Sequence, residues 1–116
     1  MFPLISNSTP FPSDCQTNAA TLNTCAEIKI DELNKELDRL YKIKISSLKN
    51  YEYVKLLNES QTAWLEFREK DCYYQSGKSG GSYMLFLKYD CIIERTEQRI
   101  KDFRAYIECK DGGCPY

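Results

Sequence analysis

The chain contains no histidine. Histidine is the side chain that titrates near neutrality, and it is the commonest metal ligand and general base. Its absence removes histidine-based metal sites and the Ser-His and Cys-His nucleophile pairs. An excess of charge is also missing: 16 lysines and arginines stand against 17 acidic residues, a net charge of −1. A nucleic-acid domain would show a basic stripe, and none is present. No apolar run approaches the roughly 18 residues of a membrane-spanning helix. Glycine is scarce, and three of the five glycines fall together at Gly77, Gly80 and Gly81. Gly77-Lys78-Ser79 spells the end of a phosphate-binding loop, but the upstream glycine that such a loop needs is replaced by Cys72. No strand-like alternation and no internal repeat occurs. From these absences no metal, no cofactor and no enzymatic activity are expected.

What is present is a small globular chain. One domain is expected from 116 residues, large enough for a modest core. A hydrophobic fraction of 42 % and a charged fraction of 28 % argue against wholesale disorder. Six cysteines are separated by 9, 46, 18, 17 and 4 residues, with no C-x-x-C among them. Those spacings do not fit zinc fingers or knuckles, so disulfides are the better reading. Disulfides imply an oxidising compartment, hence a periplasmic, secreted or cell-surface protein. Met1–Asp14 lacks the basic start and apolar run of a signal peptide, so export is expected to have used a leader already removed. Three prolines in residues 1–13 predict an extended arm.

The helical period emerges from about Ala26. Ile30, Leu33, Leu37, Tyr41, Ile45 and Leu48 recur at steps of three and four, Leu40 widens the stripe, and charged residues fill the gaps. This predicts a helix over 18–47, with Thr21 or Asn23 as its cap and Asn50 as a stop or the next cap. A second stripe, Val54, Leu57, Gln61, Trp64, Phe67 or Arg68, and Cys72, widened by Leu56 and Leu65, predicts a helix over 52–74. The glycines break it. Ser82 can cap a third helix, in which Met84, Leu87, Cys91, Ile92, Thr96, Arg99, Ile100, Phe103 and Ile107 keep the period to about Glu108. The expected fold class is all-α: an antiparallel three-helix bundle stapled by disulfides, with short loops and an extended N-terminal arm. The expected division is an arm over 1–13, a helical domain over 14–108 and a disulfide-closed tail over 109–116.

Six cysteines permit 15 pairings. Sequence locality favours Cys15–Cys25, Cys72–Cys91 and Cys109–Cys114. Cys72 near the end of one helix and Cys91 in the next reach similar height if the chain turns at Gly80-Gly81, within the span of a bridge. A competing scheme, Cys15–Cys72 with Cys25–Cys91, would tie the N-terminal segment to the bundle.

Several residues together resemble the LprI-like lysozyme-inhibitor domain of exported bacterial proteins. Leu37, Asp38 and Tyr41 fit its L-N-x-x-Y element, with Asp where Asn is usual. Gln61, Trp64, Phe67, Arg68, Glu69 and Cys72 fit Q-x-x-W-x-x-[YF]-R-[DE]-x-x-C in register. Gly80-Gly81-Ser82, Cys91, Thr96 and Arg99 fit the remainder, and the resemblance covers about residues 14–103. It implies a small helical, exported, disulfide-stapled protein that binds and inhibits a lysozyme-type muramidase or another peptidoglycan hydrolase, as an inhibitor or an immunity protein. The alternative from another class is a structural or adhesion module of a bacterial envelope assembly. No nucleic-acid partner is expected.

Each conspicuous residue has a plain reading beside a sharper one. Trp64 could anchor a partner, but a tryptophan at helical spacing belongs in a core. Arg68 and Arg99 could reach a partner's carboxylates, but internal bonding to helix termini, Glu69 or Asp71 is the simpler use. Tyr41 reads as a core residue with a bonded hydroxyl. The segment from Tyr73 to Tyr83 is the best recognition candidate. Tyr73, Tyr74, Gln75, Lys78, Gly80, Gly81, Ser82 and Tyr83 combine large rigid contacts with small adaptable ones, over a disulfide that would pre-organise them.

Overall fold

The computed structural model describes residues 19–77, 80–109 and 114, and among these the regular structure is helical throughout. Helix α1 spans Ala19–Ser47, α2 Tyr51–Ser76 and α3 Ser82–Glu108. The expected arm over 1–13 and the partner expected for Cys25, Cys15, lie outside the described residues.

The boundaries follow from local chemistry. At the end of α1 the hydroxyls of Ser46 and Ser47 donate to the carbonyls of Lys42 and Lys44 at 2.8 and 2.7 Å. Such back-bonding offers the last turn partners other than a continuing helix. Asn50 then caps α2: its backbone is extended, and its side-chain oxygen accepts from the Glu52 N–H at 2.8 Å. Helix α2 is longer than the 52–74 read from the sequence and takes in Tyr51, Gln75 and Ser76 as well. It stops at Gly77, whose φ of +87° is easy only for glycine; the Gly77 N–H closes on the Tyr73 carbonyl at 3.0 Å.

Two expected caps are corrected. Ser82 is the first residue of α3 and not its cap; Gly81 holds that position with no side-chain bond. Thr21 and Asn23 lie inside α1. Asn23 is buried, and its amide donates to the Ser82 carbonyl at 3.1 Å, so it joins two helices instead of starting one.

The helices run up, down and up. Contacts from Asn23 to Ser82, Glu27 to Tyr89, Glu36 to Arg104 and Lys44 to Tyr106 set α1 parallel to α3. Bonds from Arg68 to Thr96 and from Arg99 to Gln61 set α2 antiparallel to α3. The apolar core is Leu37, Leu40, Ile100 and Phe103, between α1 and α3. Tyr41 and Tyr106 meet Phe103 edge-on at 6.0 and 5.3 Å between ring centres. From α2 only Leu57 and Trp64 pack against this cluster. Leu56 and Leu65, read as part of the α2 stripe, face solvent, because α2 has helices on one side only.

Lys44 is a residue that periodicity placed among the outward charges, yet it is buried. Its ammonium donates to the Tyr106 carbonyl at 3.0 Å. The last turn of α3 has no basic residue of its own. Lys44 therefore supplies, from α1, the positive charge that a helix C-terminus favours.

Phe103 has no exposed surface, so Phe103→Ala should lower unfolding free energy by about 3–5 kcal/mol, read from urea midpoints. Glu36 provides a second check. Its two oxygens take Arg39 at 2.8 Å each, and one also takes Arg104 of α3 at 3.1 Å. These guanidinium groups, Arg39 first, hold the Glu36 carboxyl below its usual range against the opposing effect of burial. A carboxyl whose folded pKa is depressed stabilises the fold above its unfolded pKa, and loses that contribution as pH falls through the folded value. Glu36→Gln should therefore cost about 0.5–1 kcal/mol near neutrality, and the gap should close in acid below the carboxylate range. A gap independent of pH would show that the charge contributes nothing.

Candidate functional site

The residues expected to touch a partner gather at one end of the bundle, but on helix ends more than in a loop. Tyr73, Tyr74 and Gln75 form the last turn of α2, and Ser82 and Tyr83 the first turn of α3. Only Gly77 to Gly81 connect them, and Lys78 lies outside the described residues. Tyr74 is 84 % exposed and Tyr83 63 %. Tyr73 is also exposed, with the Lys88 ammonium 5.7 Å from its ring centre. The Gln75 amide is tied to Asp71 at 2.9 Å, on its own helix. Gly80 and Gly81 are exposed. Beneath this end Cys72 is bonded to Cys91, with Cα atoms 5.5 Å apart, and Cys72 is fully buried. Cys109 is bonded to Cys114 at the opposite end, Cα atoms 5.9 Å apart, and Cys25 is disulfide-bonded as well.

The remaining motif residues form a polar layer in the middle of the bundle. Arg68 and Arg99 are buried. Arg68 Nη1 donates to Asn34 of α1 at 2.8 Å and to Thr96 of α3 at 3.0 Å. The Thr96 hydroxyl passes its own proton to the Ile92 carbonyl. Arg99 Nε donates to Gln61 at 3.0 Å and Nη2 to Ser60 at 3.2 Å. Both guanidinium groups lie over the Trp64 ring, at 5.2 and 5.7 Å from its centre, and Arg99 also lies 5.0 Å from that of Phe103. Their carboxylate neighbours are peripheral: Glu69 stands 3.3 Å from Arg68, and Asp102 3.8 Å from Arg99. Asp71 pairs with Arg95 at 2.7 Å and not with Arg68 or Arg99. Phe67 belongs elsewhere: 51 % exposed, it lies outside the core, where Arg95 of α3 sits 5.7 Å from its ring centre. Tyr41 is half-buried and donates its hydroxyl proton to Asn58 at 2.9 Å.

Two grooves flank this layer. One of about 420 Å3 lies between α2 and α3, over Trp64, Phe67, Arg95 and Arg99. The other, of about 340 Å3, lies between α1 and α2. Its lining includes Leu37, Asp38, Tyr41, Gln61, Leu65 and Arg68, together with Asn34, Asn58 and Thr62, which the sequence reading did not place at a site. The signal was available: Asn58, Gln61, Leu65 and Arg68 are spaced by three, four and three, one face of a helix. Among the described residues no group of acidic or cysteine side chains could hold a metal, and no helix is long and apolar enough to cross a membrane.

Removing the bridge under the tyrosine end by Cys72→Ser with Cys91→Ser frees residues 19 apart. Loop-closure entropy makes this cost about 3 kcal/mol. Hydrogen exchange at 73–76 and 82–84 should accelerate ahead of exchange around Phe103. Equal acceleration everywhere would show that the bridge supports the whole bundle and not this end.

Compared with known proteins, the chain matches the family model described as lysozyme inhibitor LprI over residues 13–103. No curated protein and no solved structure matches it. The match spans most of the chain, which belongs to the LprI family.

Proposed function

We propose that this chain, as a member of the lysozyme inhibitor LprI family, is an exported binding protein that blocks a lysozyme-type peptidoglycan hydrolase. It acts by seating the tyrosine-bearing end of the α2–α3 hairpin in the enzyme's cleft. The observation that carries the reading is the exposure of Tyr73, Tyr74 and Tyr83 on two helix ends joined by the Cys72–Cys91 bridge. Tyrosine gives a large amphipathic contact at low entropic cost. A covalently held pair of helix ends loses little further freedom on binding. Every cysteine among the described residues is oxidised, which supports an extracytoplasmic compartment. The role is that of a binder and not an enzyme. The target is a host lysozyme or, for an immunity protein, a rival's hydrolase.

The test is a cell-wall lysis assay with c-type, i-type and bacterial muramidases. The protein should slow at least one of them. Tyr74→Ala with Tyr83→Ala should weaken inhibition by roughly 30-fold or more, about 2 kcal/mol, the scale of interface hot spots, with the helical spectrum unchanged. Full inhibition by the folded double variant would move the contact to another face. No effect of the unaltered protein on any muramidase would overturn the reading. Recovery of envelope scaffold proteins without a hydrolase in a pull-down would favour an adhesion role in its place.

A further inference from the structure

The groove between α1 and α2 has a one-sided hydrogen-bond inventory. Asn34 and Gln61 line it, and each has its amide oxygen taken by a guanidinium group, from Arg68 and Arg99 respectively. A guanidinium can only donate, so it fixes each amide with its oxygen inward. The NH2 groups of both amides are then left over, with no acceptor among the described residues. Asn58 also has its oxygen taken, by the Tyr41 hydroxyl, although a hydroxyl can accept as well as donate and does not fix the amide as a guanidinium does. Arg68 adds a fourth donor, because Nη2 makes no bond among the described residues while Nη1 makes two. Arg68 and Gln61 are both more than nine-tenths buried, yet Nη2 of the one and Nε2 of the other are not sealed from solvent. Four donors thus line one recess, among them a cation. The nearby acids are engaged: Asp38 holds Lys42 at 2.8 Å, and Glu69 stands beside Arg68 Nε.

The shape limits what can answer those donors. Tyr41–Asn58 closes one end and Arg68–Asn34 the other. Asn58 and Arg68 are ten positions apart on α2, about 15 Å of helix. Leu37 and Leu65 supply an apolar wall. A slot closed at both ends takes a short ligand, not a chain running through. A carboxylate answers Arg68, an amide carbonyl one residue away answers Gln61 or Asn34, and a small apolar side chain answers Leu37 and Leu65.

We propose that the α1–α2 groove binds a free carboxylate carrying a neighbouring amide carbonyl, the chemistry of an N-acylated amino acid or the C-terminal end of a peptide. The site is separate from the tyrosine end, and its test needs no hydrolase. The side-chain NH2 resonances of Asn34, Asn58 and Gln61 report on it directly by 15N-edited NMR of the intact protein. N-acetyl-leucine should shift them with a dissociation constant on the order of 1 mM, as suits a ligand of that size. N-acetyl-leucinamide, which lacks the carboxylate, should bind at least about tenfold more weakly, since a charge-assisted bond is lost. Leu65→Glu, at an exposed position on the groove wall, should weaken N-acetyl-leucine comparably by setting a like charge at the mouth, without touching the buried layer. Equal shifts from acid and amide, no shift from either, or unchanged binding in Leu65→Glu would each overturn the assignment.

Discussion

Two guanidinium groups buried against a single tryptophan are the constraint to which the rest of the bundle conforms. A buried charge without partners costs several kcal/mol, so each nitrogen must find an acceptor or a ring face. Here the acceptors come from all three helices: Asn34 from α1, Ser60 and Gln61 from α2, Thr96 from α3. Apolar packing alone would hold α2 loosely, since only Leu57 and Trp64 of that helix reach the main cluster. Hydrophobic contact is non-directional and would tolerate rotation or sliding of α2. Directional bonds to two fixed forks do not. The polar layer therefore contributes specificity of register more than net stability, a role that buried ionic groups can play.

The same layer decides where the surface is open. Asn34 and Gln61 spend their oxygens on arginines, so α1 and α2 are tied by long side chains and not by close backbone approach. The gap between them is the price of that arrangement, and it is lined by whatever those side chains have left. On the other side of α2, Phe67 and Arg95 stack outside the core, so both edges of the helix are grooved. At the bottom of the bundle Lys44 reaches across to the end of α3, which satisfies that helix end electrostatically; Tyr51 is exposed there, and Tyr73, Tyr74 and Tyr83 are exposed together at the opposite end.

Three helices were legible in the sequence because their stripes are long and their breaks are chemical. Asn50 and Gly77 act as the rules for caps and left-handed residues require. The family was legible from Gln61, Trp64, Arg68, Thr96 and Arg99 taken together. Reading failed where a residue's partner is distant in the chain. Lys44 looks like a surface charge until the C-terminus of α3 is placed beside it, and Asn23 looks like a cap until the Ser82 carbonyl is. Phe67 occupies a stripe position, but periodicity cannot say on which side of a helix the neighbours lie. The grooves were invisible for the same reason: whether the oxygen or the NH2 of an amide is left over depends on a bond to another helix.

The two ends and the middle are held by different forces, and this bears on what the tyrosine end can do. Around Phe103 stability comes from burial, which requires aromatic rings to face inward. Around Trp64 it comes from directional bonds. At Tyr73, Tyr74 and Tyr83 the helices are joined by a covalent bridge and by the Asn23 amide. An end that relied on burying its aromatics could not also present them to solvent. Because the bridge replaces that contribution, the rings are available as contact surface while their backbone stays in register.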